Sequence, residues 1–443
     1  MRPALKAGLL PVWRDRDTLQ FGVDPRRAVA VAGLEQTAAV LGLLDGSRDR
    51  DAVITAAQGH GVPAAAAERV LAVLASAGVL DDFPARAHAS LPAPLRARLV
   101  PELATAALAY ADGDGGARML ARRRAAYVRV HGAGRAGACV ASFLAASGVG
   151  HVSCTDPTPA EPADLAPAGL ILADLGSSRE SGAARAVARV APEVSTVDDG
   201  TVPDLVILTG MTLPGLTGEL IRDRVSHLAL RTGEAIGVVG PLVRPGRSAC
   251  LHCVDLRKAE ADPLWPKILA QATFARPGPQ ACDTVLAAMT ATLAAAQALA
   301  YLDRPDHVPA TADGTLELVL PDWQWRRRTW RPHPACDCGA SRLFLELGGE
   351  ALGDGQVVGD HLLDDLAGRA DPVHQPDALA DEVGGELAGA AALGSRIAVD
   401  ALLGRGGEHG LQRHRQRGRG LVAFPFVGPR AAQHPGGLAG QRP

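Results

Sequence analysis

Tyr127 to Asp156 reads YVRVHGAGRAGACVASFLAASGVGHVSCTD. The alternating apolar residues Val128 and Val130 predict a strand that stops at Gly132, Gly134 and Gly137. A helical pattern through Val140, Phe143 and Leu144 follows, and after Gly148 and Gly150 a second strand, HVSCT, ends on Asp156. Strand, glycine turn, helix, strand and acid make a nucleotide-binding βαβ unit. Gly132 allows the tight turn, Gly134 lets a phosphate approach the backbone, and Gly137 lets the helix pack on the strand. The helix N-terminus offers unpaired N–H groups and partial positive charge to phosphates. Asp156 stands roughly 20 residues beyond the glycines, where a carboxylate can accept ribose hydroxyls. The alternative is a Gly-rich βα turn with nothing bound.

Downstream, a Pro-rich loop leads to LILADLG, which reads as a strand, then a helix from Gly182 to Val190. PDLVILTG reads as a buried parallel strand, and HLALRTGEAIGVVGPLV supplies two more short ones. The expected fold class is therefore α/β, a doubly wound and mainly parallel sheet covered on both faces. Val285 to Leu302 is long and apolar, but its Ala content and its Thr290, Thr292 and Gln297 favour a helix lying on the sheet over a membrane span.

Upstream, residues 1–84 read as a small separate domain. PVWRDRDTLQFGVD is a hairpin, AVAVAG a third strand, and helices follow at Leu34–Leu44, Asp49–Gln58 and Pro63–Ala77. This is a winged-helix-like arrangement. Its last helix carries only Arg69 beside Glu68, too little cation for a nucleic-acid backbone. A sheet edge that captures an extended peptide is the better reading, with a dimerisation or packing module as the alternative. Residues 85–121 read as a linker with a lead-in helix and a flexible ADGDGGA. Arg122, Arg123 and Arg124 form either a phosphate-reaching cluster or a solvated face.

The 443 residues carry a net charge of about −3, which gives no whole-chain case for nucleic acid or an anionic membrane. Aromatics are only 3% of the chain, so Ala, Val and Leu must build the core. No secretory signal is visible in MRPALKAGLLPVW, and seven cysteines, an odd number, point to a reducing cytoplasm. Cys250 with Cys253 (CLHC) and Cys336 with Cys338 (CDC) are two close-spaced pairs remote from each other, the pattern of a four-thiolate structural zinc site. His252 and His333 are alternative ligands, since C-x-C is tighter than the usual spacing. A redox pair is disfavoured because no helix start is evident after Cys250. Cys139 and Cys154 read as core; Cys282 is the one candidate reactive thiol, with core the preferred reading.

With both features in hand, residues 122–343 resemble the ThiF/MoeB/HesA family, relatives of the ubiquitin-activating enzymes. HGAGRAG, LAASGVGHVSCTD, GSSR, CLHC and CDC carry the resemblance. It implies a Rossmann-like fold, zinc held by Cys250, Cys253, Cys336 and Cys338, and use of ATP and magnesium to adenylate a C-terminal carboxylate, usually as a homodimer. GVVGPLVRPGRSACLHCVDLRKAEADPLWP is similar to actinobacterial ThiF-like proteins of peptide-modification clusters. These bind a precursor leader peptide and present it to a cyclodehydratase that makes thiazolines or oxazolines. Carried over by position, Gly132, Gly134, Gly137, Asp156 and Arg179 form the nucleotide site. Arg179, standing where the family has lysine, is the candidate catalytic residue. Asp164-Leu165-Ala166-Pro167 lacks the family's arginine, and Thr209-Gly210 lacks its magnesium-linked aspartate. Adenylation is then expected to be weak or lost. Alternatives are a working adenylyltransferase, with Asp174, Glu219 or Asp204 replacing the missing metal ligand, and a NAD-dependent oxidoreductase, which the cysteine pairs oppose. Residues 344–443 read as a low-complexity, largely disordered tail.

Overall fold

The N-terminal residues fold around turns that their side chains specify. The structure, a computed structural model, describes residues 1–34, 38–82, 91–211, 214–274 and 280–341; the tail expected at 344–443 lies outside them. Strand β1 (Pro3–Leu5) pairs with β5 (Leu80–Asp82), and β2 (Pro11–Trp13), β3 (Leu19–Phe21) and β4 (Val29–Val31) form a three-stranded antiparallel sheet. Asp15 closes the β2–β3 turn by accepting from Asp17 N at 2.8 Å and Thr18 N at 2.7 Å. The three helices are α1 (Ala38–Leu41), shorter than its apolar pattern, α2 (Arg50–Gly59) and α3 (Ala64–Ser76). Asp49 caps α2 through Ala52 N, and Pro63 starts α3. Leu19, Phe21, Val40, Val53 and Leu74 are buried together, each stabilising the module by about 1.5–3 kcal/mol.

This module is fastened to helix α4 (Ala93–Ala109) at that helix's C-terminal end. Lys6 pairs with Asp81 in the interior and donates at 3.1 Å to Ala107 O, while Arg27 donates at 2.8 Å to Leu108 O. Cations there satisfy the carbonyls that a helix leaves unpaired. The ADGDGGA stretch expected to be flexible is an ordered turn, in which Asp114 accepts from Gly116 N and Arg118 N. Helix α5 (Ala117–Ala125) carries the arginine cluster.

A seven-stranded sheet follows. Its parallel block is β7 (His151–Thr155), β6 (Tyr127–His131), β8 (Leu205–Thr209) and β9 (His227–Gly233). Antiparallel strands β10 (Ile236–Val243), β11 (Gly314–Val319) and β12 (Gln324–Thr329) extend it. Helices α6 (Gly137–Ala146), α7 (Arg179–Val190), α8 (Pro214–Arg222), α9 (Leu251–Ala261), α10 (Trp265–Phe274) and α11 (Thr284–Asp303) complete the domain. The chain runs outward from β6 to β7, then returns across β6 to β8. The strand order therefore reverses between β6 and β8, which opens the crevice where α/β sheets bind ligands.

Helix α11 is long and apolar enough to cross a membrane, yet it packs on α6, β9 and β10. Its Thr290 and Thr292 donate back to Leu286 O and Ala288 O. Two further expectations fail here. LILADLG is no strand: Leu172–Asp174 is a single 3-10 turn, Leu172 is exposed, and buried Asp174 accepts from Ile171 N and Arg185 Nε. Arg123 is neither solvated nor free for phosphate. It is buried, with Asp303 at 2.7 Å and Glu102 at 2.9 Å, while Arg122 donates to Asp303 O.

Candidate functional site

The glycine turn sits at the strand-order reversal, between the ends of β6 and β8. Gly132 has φ +87°, and an added Cβ would come within 2.1 Å of Thr209 Oγ1. That hydroxyl donates at 2.9 Å to both His131 O and Gly132 O, fixing the turn from β8. A Cβ on Gly137 would approach Gly132 O to 1.9 Å, so helix and strand touch as the sequence predicted. Gly134 faces open space apart from Asp164 Oδ1, 3.3 Å from where its Cβ would lie. No side chain caps α6; Ala138 N, in its first turn, donates at 3.2 Å to Gly134 O.

Asp156 closes the other side. Its Oδ2 accepts from Ala133 N at 2.9 Å, and its Oδ1 from Thr158 N at 3.1 Å. Arg179, the first residue of α7, is brought in by its backbone: Arg179 N donates to Thr158 O, and Glu180 N to Asp156 O. Its Nε donates at 2.7 Å to Asp164 Oδ2, and a terminal nitrogen lies 3.6 Å from Asp156 Oδ2. Burial works against the charge on Arg179, but its hydrogen bond to Asp164 and the charges of Asp164 and Asp156 raise its pKa overall. The predicted residues Gly132, Gly134, Gly137, Asp156 and Arg179 thus converge on one crevice.

Two participants lay outside the predicted set. Asp164 is the last residue of the 3-10 turn Pro162–Asp164, and its Oδ2 also accepts from Glu161 N. Arg135, inside the glycine turn, donates to Ala163 O at 2.8 Å and Cys282 O at 2.9 Å. The sequence signals were the acid at 164 and the arginine within HGAGRAG, neither of which reveals its partner. His131, just before the turn, is held below the usual imidazole range, mainly by burial. The substitute metal ligands do not assemble. Asp174 is engaged by Arg185, and Asp204 accepts from Tyr127 N at the opposite, N-terminal end of β6. Glu219 is exposed on α8.

The second centre lies where α9 begins. Cys250, Cys253, Cys336 and Cys338 are all buried, with sulfurs within 4.8 Å of one another. Cys250 to Cys253 is 3.7 Å, and Cys250 to Cys336 and Cys253 to Cys338 are each 3.6 Å. Zinc–sulfur bonds of about 2.3 Å in a tetrahedron require edges of about 3.8 Å, so this thiolate set fits such an ion. The mutual hydrogen bond drives the Cys253 thiol well below, and the Cys250 thiol well above, the usual thiol range. His333 is no ligand: Nδ1 accepts from Ala335 N and Nε2 contacts Glu260. His252 is exposed. A helix does begin at Leu251, with Cys250 as its cap, contrary to expectation; the helix start is part of the four-sulfur cluster. Cys139 and Cys154 are core thiols, pushed up to about 11 and about 12 by burial. Cys282 is buried as well.

A doubly wound domain with a glycine turn at the strand-order reversal and a cluster of four cysteines beside its antiparallel end defines a Rossmann-like class of fold. Residues 108–201 match the ThiF family model. Among solved structures, the chain is similar to E. coli MccB, a microcin biosynthetic enzyme. In complex with N-formylated MccA, MccB superposes with TM-score 0.54 at 16% identity, over 76% of this chain and 100% of MccB. MccB with ATP gives TM-score 0.53 at 15% identity over the same shares. The heterocyclase TruD gives 0.51 at 17% identity, over 80% of this chain and 45% of TruD. These likenesses establish the shared fold. No curated protein matches by sequence.

Proposed function

We propose that this chain is a ThiF-family protein of ribosomal-peptide modification that recognises a precursor peptide through its N-terminal module. We read that module as winged-helix-like, and the ThiF domain as the body that presents the peptide to a cyclodehydratase-type enzyme. The observation that carries the reading is a small sheet whose outer strands have no strand partner on their far side among the described residues, joined to the ThiF-like domain. Strand β2 is exposed along its whole length, with Val12 and Trp13 on it and Leu10 beside it. An extended peptide can add main-chain hydrogen bonds to such an edge. MccB, solved with MccA, supports a peptide ligand by likeness of fold.

The nucleotide crevice takes an adenine nucleotide, with Asp156 at the ribose and Gly134 and Arg179 near phosphate. Adenylation is weak because Gly210 offers no carboxylate to magnesium. Zinc occupies the four thiolates and braces the fold, and the protein works as a homodimer in the cytoplasm. The test is an anisotropy titration of the full chain with a fluorescent precursor peptide, run with and without ATP and magnesium. Saturable binding in both conditions, lost when both free edges are blocked by Trp13→Pro and Ala30→Pro, whose N–H groups face away from β3, is expected. Absence of binding refutes the peptide reading. Peptide-dependent ATP–pyrophosphate exchange would favour the second reading, a working adenylyltransferase, which the complete glycine turn and Arg179 support.

A further inference from the structure

The crevice already holds an anion of its own. Asp164 is 8% exposed, and its carboxylate lies against Gly134: an added Cβ there would meet Asp164 Oδ1 at 3.3 Å and no other atom within 4 Å. Gly134 is the position whose missing side chain lets a negatively charged group approach the first turn of α6. The cation of the site is engaged as well. Arg179 Nε donates at 2.7 Å to Asp164 Oδ2, and its guanidinium lies 3.6 Å from Asp156 Oδ2. Glu180 adds a third carboxylate, accepting from Asp156 N at 3.0 Å. An incoming polyphosphate meets like charge at Gly134 and must draw Arg179 away from two carboxylates.

We propose that Asp164 is a specificity-determining residue that turns this cradle against polyphosphates, so that the site favours adenosine or its monophosphate over ATP. The inference rests on the adenine-nucleotide reading of the crevice and gives a physical reason for weak adenylation. Replacing the carboxylate by an amide keeps an acceptor for Arg179 and for Glu161 N while removing the repelling charge.

The experiment is calorimetric titration of the full chain and its Asp164→Asn variant with adenosine, AMP and ATP, the last with and without magnesium. Asp164→Ser is measured in parallel, and thermal melts check that each variant folds. Wild type is expected to bind adenosine and AMP at least as tightly as ATP. Asp164→Asn is expected to tighten ATP by about tenfold or more, with adenosine changed less than about twofold. Unchanged or weaker ATP binding in both folded variants, or an equal gain for adenosine, overturns the proposal. If wild type and both variants bind none of the three ligands, the adenine-nucleotide reading itself falls, and this inference with it.

Discussion

Single atoms decide this crevice. Gly137 has no room for a methyl group, because its Cβ would lie 1.9 Å from a backbone oxygen, that of Gly132. Backbone cannot step aside as a flexible side chain can. Gly137→Ala should therefore cost on the order of 3 kcal/mol of stability, read as a lower urea midpoint at unchanged slope. A second residue sets the response to acid. His227 is fully buried at the start of β9; its Nδ1 contacts Val225 O at 3.1 Å, and its Nε2 has no hydrogen-bond partner among the described residues. Burial lowers its pKa from 6.5, so the folded protein keeps it neutral where the unfolded chain takes up a proton. Its contribution is present above about pH 6.5 and is lost as pH falls from there toward the lowered folded value, by up to about 1.4 kcal/mol per unit. Urea unfolding at pH 7.5 and 5.5 should show His227→Gln losing less stability on acidification than wild type. Equal losses would mean that His227 does not govern that window.

At the scale of elements, α5 and the end of α11 are joined by a buried ion pair. Arg123 and Asp303 meet through two 2.7 Å hydrogen bonds, and Tyr110 donates to the same carboxylate. Removing one partner strands the other charge, so Asp303→Asn should cost about 3 kcal/mol. Replacing both, as Arg123→Met with Asp303→Leu, should recover much of it; a double variant as unstable as the single one would contradict this account. This pair also shows where the sequence stops being readable. Its members stand 180 positions apart, so local pattern suggested a solvated or phosphate-reaching run at Arg122–Arg124. The βαβ unit was legible because Gly132 and Gly137 answer contacts made within that short stretch or by Thr209 at the end of the adjacent strand. LILADLG was misread because three apolar residues in a row also fit a surface turn held by a buried aspartate. The placement of Asp164 against Gly134 had no local signature at all. It depends on a proline-led turn folding back across the crevice.

For the whole molecule, the distribution of tethers matters more than their number. The parallel block β7–β6–β8–β9 is held by its own ladder and by α6 and α11, whereas the segment after β12 pairs with no strand among the described residues. Residues 330–341 are held by Trp330, whose Nε1 donates to Thr315 at 3.0 Å, and by the sulfurs of Cys336 and Cys338. The link between Cys250 and Cys336 spans 86 positions, so a metal there removes a large loop entropy from the unfolded chain. Binding at a four-thiolate site of this kind is worth on the order of 10 kcal/mol. Purified protein should therefore carry one equivalent of zinc by elemental analysis, and Cys338→Ser should carry less. Stripping the ion with a chelator should raise hydrogen exchange at residues 330–341 and in the first turn of α9, while β6 and β8 stay protected. Because the glycine crevice belongs to the block that keeps its ladder, nucleotide affinity should survive chelation with less than about a threefold loss. Loss of nucleotide binding together with the metal would mean that the two centres form one cooperative unit, and that the clamp reaches further into the sheet than its own contacts imply.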